Sequence, residues 1–175
     1  MHIGKHNPGH SYTMNDSASG QTFMLTDTVL ERDLGVLISA DLKWAEQVEK
    51  NVSKANSMLG LLRHTFSYRG ADLWKKLYTT YVRPQLEFAV AVWNPYLKGD
   101  IKALEGVQHR ATKIAHSMKR HSYEERCEQL DLTSLENRRI RGDMIQHFKF
   151  ENDIDSVYWL KEPYRRLPEE RGKSN

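Results

Sequence analysis

Between Leu77 and Trp93 the chain reads LYTTYVRPQLEFAVAVW, an apolar and aromatic segment with one proline inside it and Asn94-Pro95 at its end. A helix built from this segment cannot lie on a surface, because its apolar residues run almost all the way round after the proline. Pro84 has no backbone N–H and its ring crowds the preceding turn, so a kink is predicted there. Asn94-Pro95 predicts the stop. Leu86 to Trp93 is therefore expected to be the most buried segment, the spine of a helical bundle. The rest of the chain must supply the helices that cover it.

Those helices are legible on both sides. One is predicted from Asp41 to His64, where Trp44, Val48, Val52, Ala55, Leu59 and Leu62 follow 4-4-3-4-3 spacing, an arc of only ~80° at 100° per residue. Lys43, Gln47, Lys50, Lys54 and Ser57 form a second stripe on its far side, with Glu46 and Glu49 lying off it. Such a stripe is either a solvated helix face or a surface for a polyanion. The spine helix begins near Ala71, with Leu73, Trp74, Leu77, Tyr78 and Tyr81 as its apolar face. A third helix is predicted from Asp100, as N-cap, to Lys119. Leu104, Val107, Ala111, Ile114 and Met118 share one of its faces, and Lys102, His109, Lys113, His116 and Arg120 cluster almost opposite. From Lys98 to Arg120 there are six Lys or Arg against two acids, the clearest local charge asymmetry in the chain.

Two capping boxes follow, Ser122-x-x-Glu125 opening a short helix to Leu130 and Thr133-x-x-Glu136 opening one to Phe150. In the last helix Ile140, Met144, Ile145 and Phe148 are expected to face inward. Arg141 falls inside that arc and would need a carboxylate or carbonyl partner if buried. Gly142 costs ~1 kcal/mol against alanine in a helix interior, which a close helix–helix approach would explain. Before Asp41 the signals are those of strands and turns. Thr28-Val29-Leu30 and Leu34 to Ile38 are β-prone, with Glu31-Arg32-Asp33 as their connection. The fold class is thus mainly α, a helical bundle preceded by a short antiparallel β segment. The expected divisions are a β segment over 1–40, a helical domain over 41–152 and an irregular tail over 153–175, with Pro163 and Pro168.

Composition narrows function by exclusion. The net charge of +3 over 175 residues is too small to establish nucleic-acid binding by itself, so the placement of charge decides. One cysteine, Cys127, rules out a disulfide framework and a cysteine-rich zinc site. The N-terminal MHIGKHNPGH lacks the apolar core of a secretory signal, so an intracellular, non-secreted chain is expected. Phe88 to Trp93 is far too short to span a bilayer. His2, His6 and His10 have helical spacing for metal ligands, but Asn7-Pro8-Gly9 breaks that helix, and no metal site is assigned. Glu124 and Glu125 point apart on a helix, and capping accounts for Glu125. Cys127 reads as a small packing residue. No Gly-rich phosphate loop or nucleophile elbow is present. No catalytic residue is assigned.

The order of segments carries a resemblance. MHIGKHNPGHSYTM, ERDLGVLISADLKWAEQV, VSKANSMLGLLRHTF, VRPQLEFAVAVWNP, VQHRATKI, SYEERCEQL and RRIRGDMIQHFKF, in that order, resemble the region after the polymerase palm in LINE-type, jockey-like retrotransposon reverse transcriptases. The resemblance implies a thumb-like bundle beside a template–primer duplex. It places Asp33, Leu34 and Gly35, followed by Val36, at a primer-grip-like turn and the Trp44–His64 helix as the first thumb helix. Polymerases of this kind use two metal ions held by acidic residues, carried in the family by an aromatic-Ala-Asp-Asp turn. No Asp-Asp pair occurs in these 175 residues. The resemblance therefore places the catalytic carboxylates, and the Mg²⁺ they would hold, in a palm upstream of Met1. The chain is expected to be cut short at both ends and to be no enzyme by itself.

On this reading the chain has no cofactor of its own, and its partners are an RNA/DNA hybrid or duplex and a separate palm-bearing polymerase chain, with no membrane. The backbone-binding residues are expected to be Lys43, Gln47, Lys50 and Lys54 on the first helix and Lys102, Lys113 and Arg120 on and after the third. Contacts of that kind position a duplex without reading its sequence. The alternatives are a helical protein-interaction module, with Leu86–Trp93, Trp44, Trp74 and Trp159 forming an apolar patch, and a remnant without function.

Overall fold

Two antiparallel hairpins precede a bundle of helices in the computed structural model, which describes residues 1–157 apart from Lys5, His6 and Ser117. The chain is mainly helical. The expected tail at 153–175 lies largely outside the described residues, as do Trp159, Pro163 and Pro168.

In the first hairpin β1 (Thr13–Asn15) pairs with β2 (Thr22–Met24), Thr13 opposite Met24. In the second, β3 (Leu30–Asp33) pairs with β4 (Val36–Ser39), Leu30 opposite Ser39 and Asp33 opposite Val36. This corrects the expected connection. Glu31, Arg32 and Asp33 belong to β3, and the turn is Leu34-Gly35, with φ of 44° and 90°. A two-residue connection matching the strand twist needs positive φ at both positions, which glycine accepts freely and leucine only with strain. Val36 and Ser39 of β4 are buried against the bundle.

Helix α1 spans Ala45–Thr65 and begins four residues later than expected. Asp41 does not open it. Its carboxylate Oδ1 accepts the Lys43 N–H at 3.0 Å, and Leu42 turns with φ 57°. The apolar stripe falls where its spacing placed it. Val48, Ala55, Leu59 and Leu62 are buried, with Trp44 and Val52 packed at the core's edge.

The spine is not one kinked helix. It comprises α2 (Ala71–Leu77), a π-helical turn (Tyr78–Val82), α3 (Arg83–Glu87) and α4 (Val90–Trp93). The widened turn lies just before Pro84, and Arg83 N–H reaches back to the Tyr78 carbonyl. This is a physical answer to a residue that cannot donate to the carbonyl four positions earlier. The chain then breaks at Ala89, which adopts φ 52°, and the Trp93 indole N–H takes up the Phe88 carbonyl at 2.7 Å. Leu77, Tyr78, Val82, Leu86 and Trp93 are buried, whereas Phe88 and Val92 are exposed. The break turns the last apolar residues outward and leaves Trp93 as the anchor, so Leu86–Trp93 is not the continuous buried segment that was expected.

Helix α5 (Lys98–Ile114) is central, packing on α1, α6 (Tyr123–Gln129) and α7 (Leu135–Glu151). Leu97, not Asp100, is its N-cap, and it ends before Ala115, which turns extended. Met118 still joins the core, carried there by a 3-10 turn at Met118–Arg120. The Ser122–Glu125 capping box is present in both directions, at 3.2 and 2.8 Å. The second cap sits one residue later than expected, where Ser134 Oγ accepts the Asn137 N–H at 3.2 Å.

Helix α7 is turned the other way round from the expectation. Ile140, Met144, Ile145 and Phe148 are exposed, while Leu135 and Arg139 are buried. Polar anchors set this rotation. Arg138 forms a two-pronged pair with Glu87, Asn94 donates to Asp143, and Leu135 N–H donates to Glu105 at 3.0 Å. Arg141 is exposed and needs no buried partner. A Cβ at Gly142 would meet nothing within 4 Å, so no close helix approach explains that glycine.

Candidate nucleic-acid interface

The stripe predicted on the first helix does not form a free surface. Gln47 is 1% exposed, and its Oε1 accepts the Leu37 N–H at 2.8 Å, tying α1 to β4. Burial takes it off the exposed face. Lys50 Nζ donates to the Gly35 carbonyl at 2.8 Å, so this cation fastens the hairpin turn to the helix. Burial and the nearby Arg32 and Lys54 lower its pKa. Lys43 precedes the helix and pairs with Asp41 at 3.0 Å. Lys54 remains solvent-facing. A stripe read from spacing alone mixed two docking residues with two surface ones.

A hairpin turn lies at the residues to which the resemblance gives a primer-grip role. Asp33 closes β3, and Leu34-Gly35 form the connection. Leu34 is 91% exposed at its tip, and a Cβ on Gly35 would lie 3.3 Å from the Phe88 ring. A larger residue at that glycine would press on Phe88 as well as strain the turn.

The basic residues of the third helix fare differently. Lys113 and Arg120 line a cleft of about 970 Å³, whereas Lys102 is exposed near the other end of α5. The cleft is walled by the second half of α1 (Asn56, Leu59, Gly60, Arg63), the α1–α2 loop (Arg69), the end of α5 (Arg110, Lys113, Ile114) and the following turn (Ala115, His116, Lys119, Arg120). Six of these twelve residues are Lys or Arg and none is Asp or Glu. The cleft is therefore a local concentration of positive charge.

Helix ends account for a small part of this. The C-termini of α1 and α5 each present about half a negative charge, which favours nearby cations, but two such ends do not balance six fixed positive charges. The cleft is also held in shape. Arg110 donates from Nε and Nη2 to Asn56 Oδ1 at 3.2 and 3.0 Å, bridging α5 and α1. His116 N–H donates to the Arg69 carbonyl at 2.8 Å, fixing the α1–α2 loop on the turn after α5. Arg69 Nε is buried with no hydrogen-bond partner among the described residues, so a donor remains to be satisfied there. Arg63 and Arg69 went unrecognised in the sequence because they belong to a different helix and loop, brought in only by packing, and Arg110 and Lys119 because they fall outside the stripe that spacing picks out.

His109, grouped with these cations from spacing, lies elsewhere. Its ring lies 4.9 Å from the Tyr123 ring at a tilt of 35°, and burial first, then Arg126, lowers its pKa, which disfavours its charged form. Behind it runs a buried network absent from the sequence reading. Tyr78 donates to Gln108 Oε1 at 2.8 Å. Gln108 Nε2 donates to the Tyr123 hydroxyl at 2.9 Å and the Thr133 carbonyl at 3.0 Å, and Tyr123 donates to Glu105. Arg126, also buried, donates to Thr112 Oγ1 at 3.0 Å and to the His121 carbonyl. Burial raises the pKa of Cys127, which packs at the core's edge as a thiol. His2 pairs with Asp27 at 2.9 Å, and His6 lies outside the described residues.

No protein-family profile matches the chain, and no solved structure does. An uncharacterized protein of Caenorhabditis elegans is similar, 28% identical over 111 residues covering 62% of this chain and 56% of that protein. The chain spans about half the length of the curated relative it matches. Among the described residues no helix is long and apolar enough to cross a membrane.

Proposed function

We propose that this chain is the thumb and post-palm part of a LINE-type reverse transcriptase, that it binds the backbone of template–primer nucleic acid without reading sequence, and that it does no catalysis by itself. The observation that carries the binding half is the cleft of Arg63, Arg69, Arg110, Lys113, Lys119 and Arg120, with no acid in its lining. Phosphate neutralisation by such groups supplies affinity for any sequence alike. The family half rests on the order of sequence segments. A helical bundle preceded by a hairpin, with an exposed Leu34 at its turn, is consistent with it. The metal-binding carboxylates and Mg²⁺ of the reaction belong, on this reading, to the polymerase palm.

The test is binding of an RNA/DNA hybrid and of a DNA duplex to the full chain at low salt, with Lys113→Glu combined with Arg120→Glu as the variant. Binding to both substrates, weakened alike by the double variant, is expected. Absence of binding at low salt contradicts the proposal. Primer extension by the chain with template, nucleotides and Mg²⁺ would contradict its non-catalytic half.

A second reading, a helical protein-interaction module, draws on the exposed apolar face of α7 rather than on the tryptophans. Trp74 and Trp93 are buried, but Ile140, Met144, Ile145 and Phe148 face solvent. Self-association that salt leaves unchanged would support it.

A further inference from the structure

A template–primer carries two kinds of nucleic acid, a duplex and an unpaired strand, and the basic cleft is shaped for one of them. We propose that it seats a short unpaired stretch in preference to the flank of a duplex, with bases stacking beside it on Tyr68 and on its arginines. This deepens the backbone-binding reading and rests on it.

Shape is the first ground. The six cations line a concavity of about 970 Å³ walled by α1, the α1–α2 loop and the end of α5. That volume lies at the upper end of the roughly 300–1,000 Å³ that small-molecule pockets occupy, the scale of a few nucleotides and well short of a turn of duplex. A duplex offers a convex backbone and keeps its bases inside. A single strand can bend into a cleft and turn its bases onto the walls.

Aromatic placement is the second ground. Tyr68 is 68% exposed in the loop that carries Arg69, and its ring lies edge-on to His116, a cleft residue, at 6.1 Å. The ring is held over Gly70, where a Cβ would lie 2.5 Å from the tyrosine hydroxyl. A poised, exposed aromatic next to a basic groove is the pairing that single strands use, since every base has a face to stack. Four of the six cations are arginines, whose planar guanidinium can stack on a base or bond a phosphate, which a lysine ammonium does only as a point charge. The third ground is Gly60. It lines the cleft from α1, and a Cβ there would meet nothing within 4 Å, so the wall stays open where a side chain would intrude.

The experiment compares four fluorescent probes at equal salt on the full chain: single-stranded DNA, single-stranded RNA, and blunt duplex and hybrid of the same sequence. Single strands are expected to bind about tenfold tighter than blunt probes, the RNA and DNA arms showing whether the sugar matters. Tyr68→Ala is expected to lose roughly tenfold on single strands, the scale of one lost stacking contact, and to leave blunt-probe affinity unchanged, with Tyr68→Phe restoring it. Gly60→Leu favours the helix while filling the cleft, and is expected to weaken single-strand binding with no loss of thermal stability. Blunt probes binding as tightly as single strands, or single-strand affinity unmoved by both Tyr68→Ala and Gly60→Leu, would overturn the inference while leaving the backbone-binding reading in place. Failure of all four probes to bind would remove both.

Discussion

The backbone N–H of His116 donates to the carbonyl of Arg69 across 2.8 Å, joining the turn after α5 to the loop after α1. Two basic segments that are nearly fifty positions apart in the chain thereby become neighbouring walls of one cleft. Residues 98–120 supply four of the six cleft cations, and α1 and its following loop supply the other two.

Position relative to this cleft, rather than charge alone, should set the effect of a mutation. Lys113→Glu is expected to weaken nucleic-acid binding roughly tenfold at low salt, the order expected for losing a phosphate contact and adding a repulsive one. Lys102 lies eleven residues earlier on α5, about 16 Å along the helix. Lys102→Glu and Lys54→Glu should therefore weaken binding much less, as measured by fluorescence anisotropy against a labelled oligonucleotide.

The buried glutamine should matter for stability more than any of the six cleft cations. Gln108 is fully buried and satisfies Tyr78, Tyr123 and the Thr133 carbonyl at once. Gln108→Leu leaves the Tyr78 hydroxyl and the Thr133 carbonyl without this partner, while Tyr123 keeps Glu105, and at about 1–3 kcal/mol for each buried polar group left unsatisfied a total loss of roughly 3 kcal/mol is expected. Urea denaturation would show it as a lower midpoint with an unchanged slope.

In helix α7 the positions that the apolar periodicity marks as core should tolerate substitution. Met144→Gln and Phe148→Gln should change stability by no more than about 0.5 kcal/mol, as for exposed positions. Leu135→Ala, at a fully buried site, should cost about 2–5 kcal/mol. The same denaturation measurement separates these outcomes.

A pH effect should arise at the junction of hairpin and helix. The Ser39 hydroxyl lies 2.6 Å from Asp41 Oδ1, and this contact, then the Lys43 N–H, depresses the Asp41 carboxyl to about 2. A depressed acid stabilises the fold above its ordinary pKa of 3.8 and loses that contribution as pH falls through about 2. Carboxyl NMR should place the Asp41 titration near 2, and Asp41→Asn should remove the stability change in that window.

What could be read from sequence followed from local rules. The α1 apolar stripe from Val48 to Leu62, the Ser122–Glu125 box and the hairpin before the bundle are each set by spacing or by a side chain bonding its neighbours. The misreadings arose where distant groups compete. Apolar periodicity pointed Ile140 and Phe148 inward, but Glu87, Asn94 and Glu105 from other helices anchor α7 by its polar side. Gln47 and Lys50 looked like surface charge and amide until the hairpin folded back onto them. Arg69 carried no signal at all, because a lone arginine in a loop acquires meaning only from what packs beside it.

The account turns on the cleft being the place where phosphates sit. The most direct test is the salt dependence of affinity for a single-stranded oligonucleotide, compared between the native chain and the chain with Lys113→Glu and Arg120→Glu. The account predicts that log K falls linearly with log salt, at about −0.7 per phosphate neutralised, and that the double variant binds more weakly with a slope flatter by more than one such step. A native chain whose affinity ignores salt, or a double variant with the native slope, would contradict it.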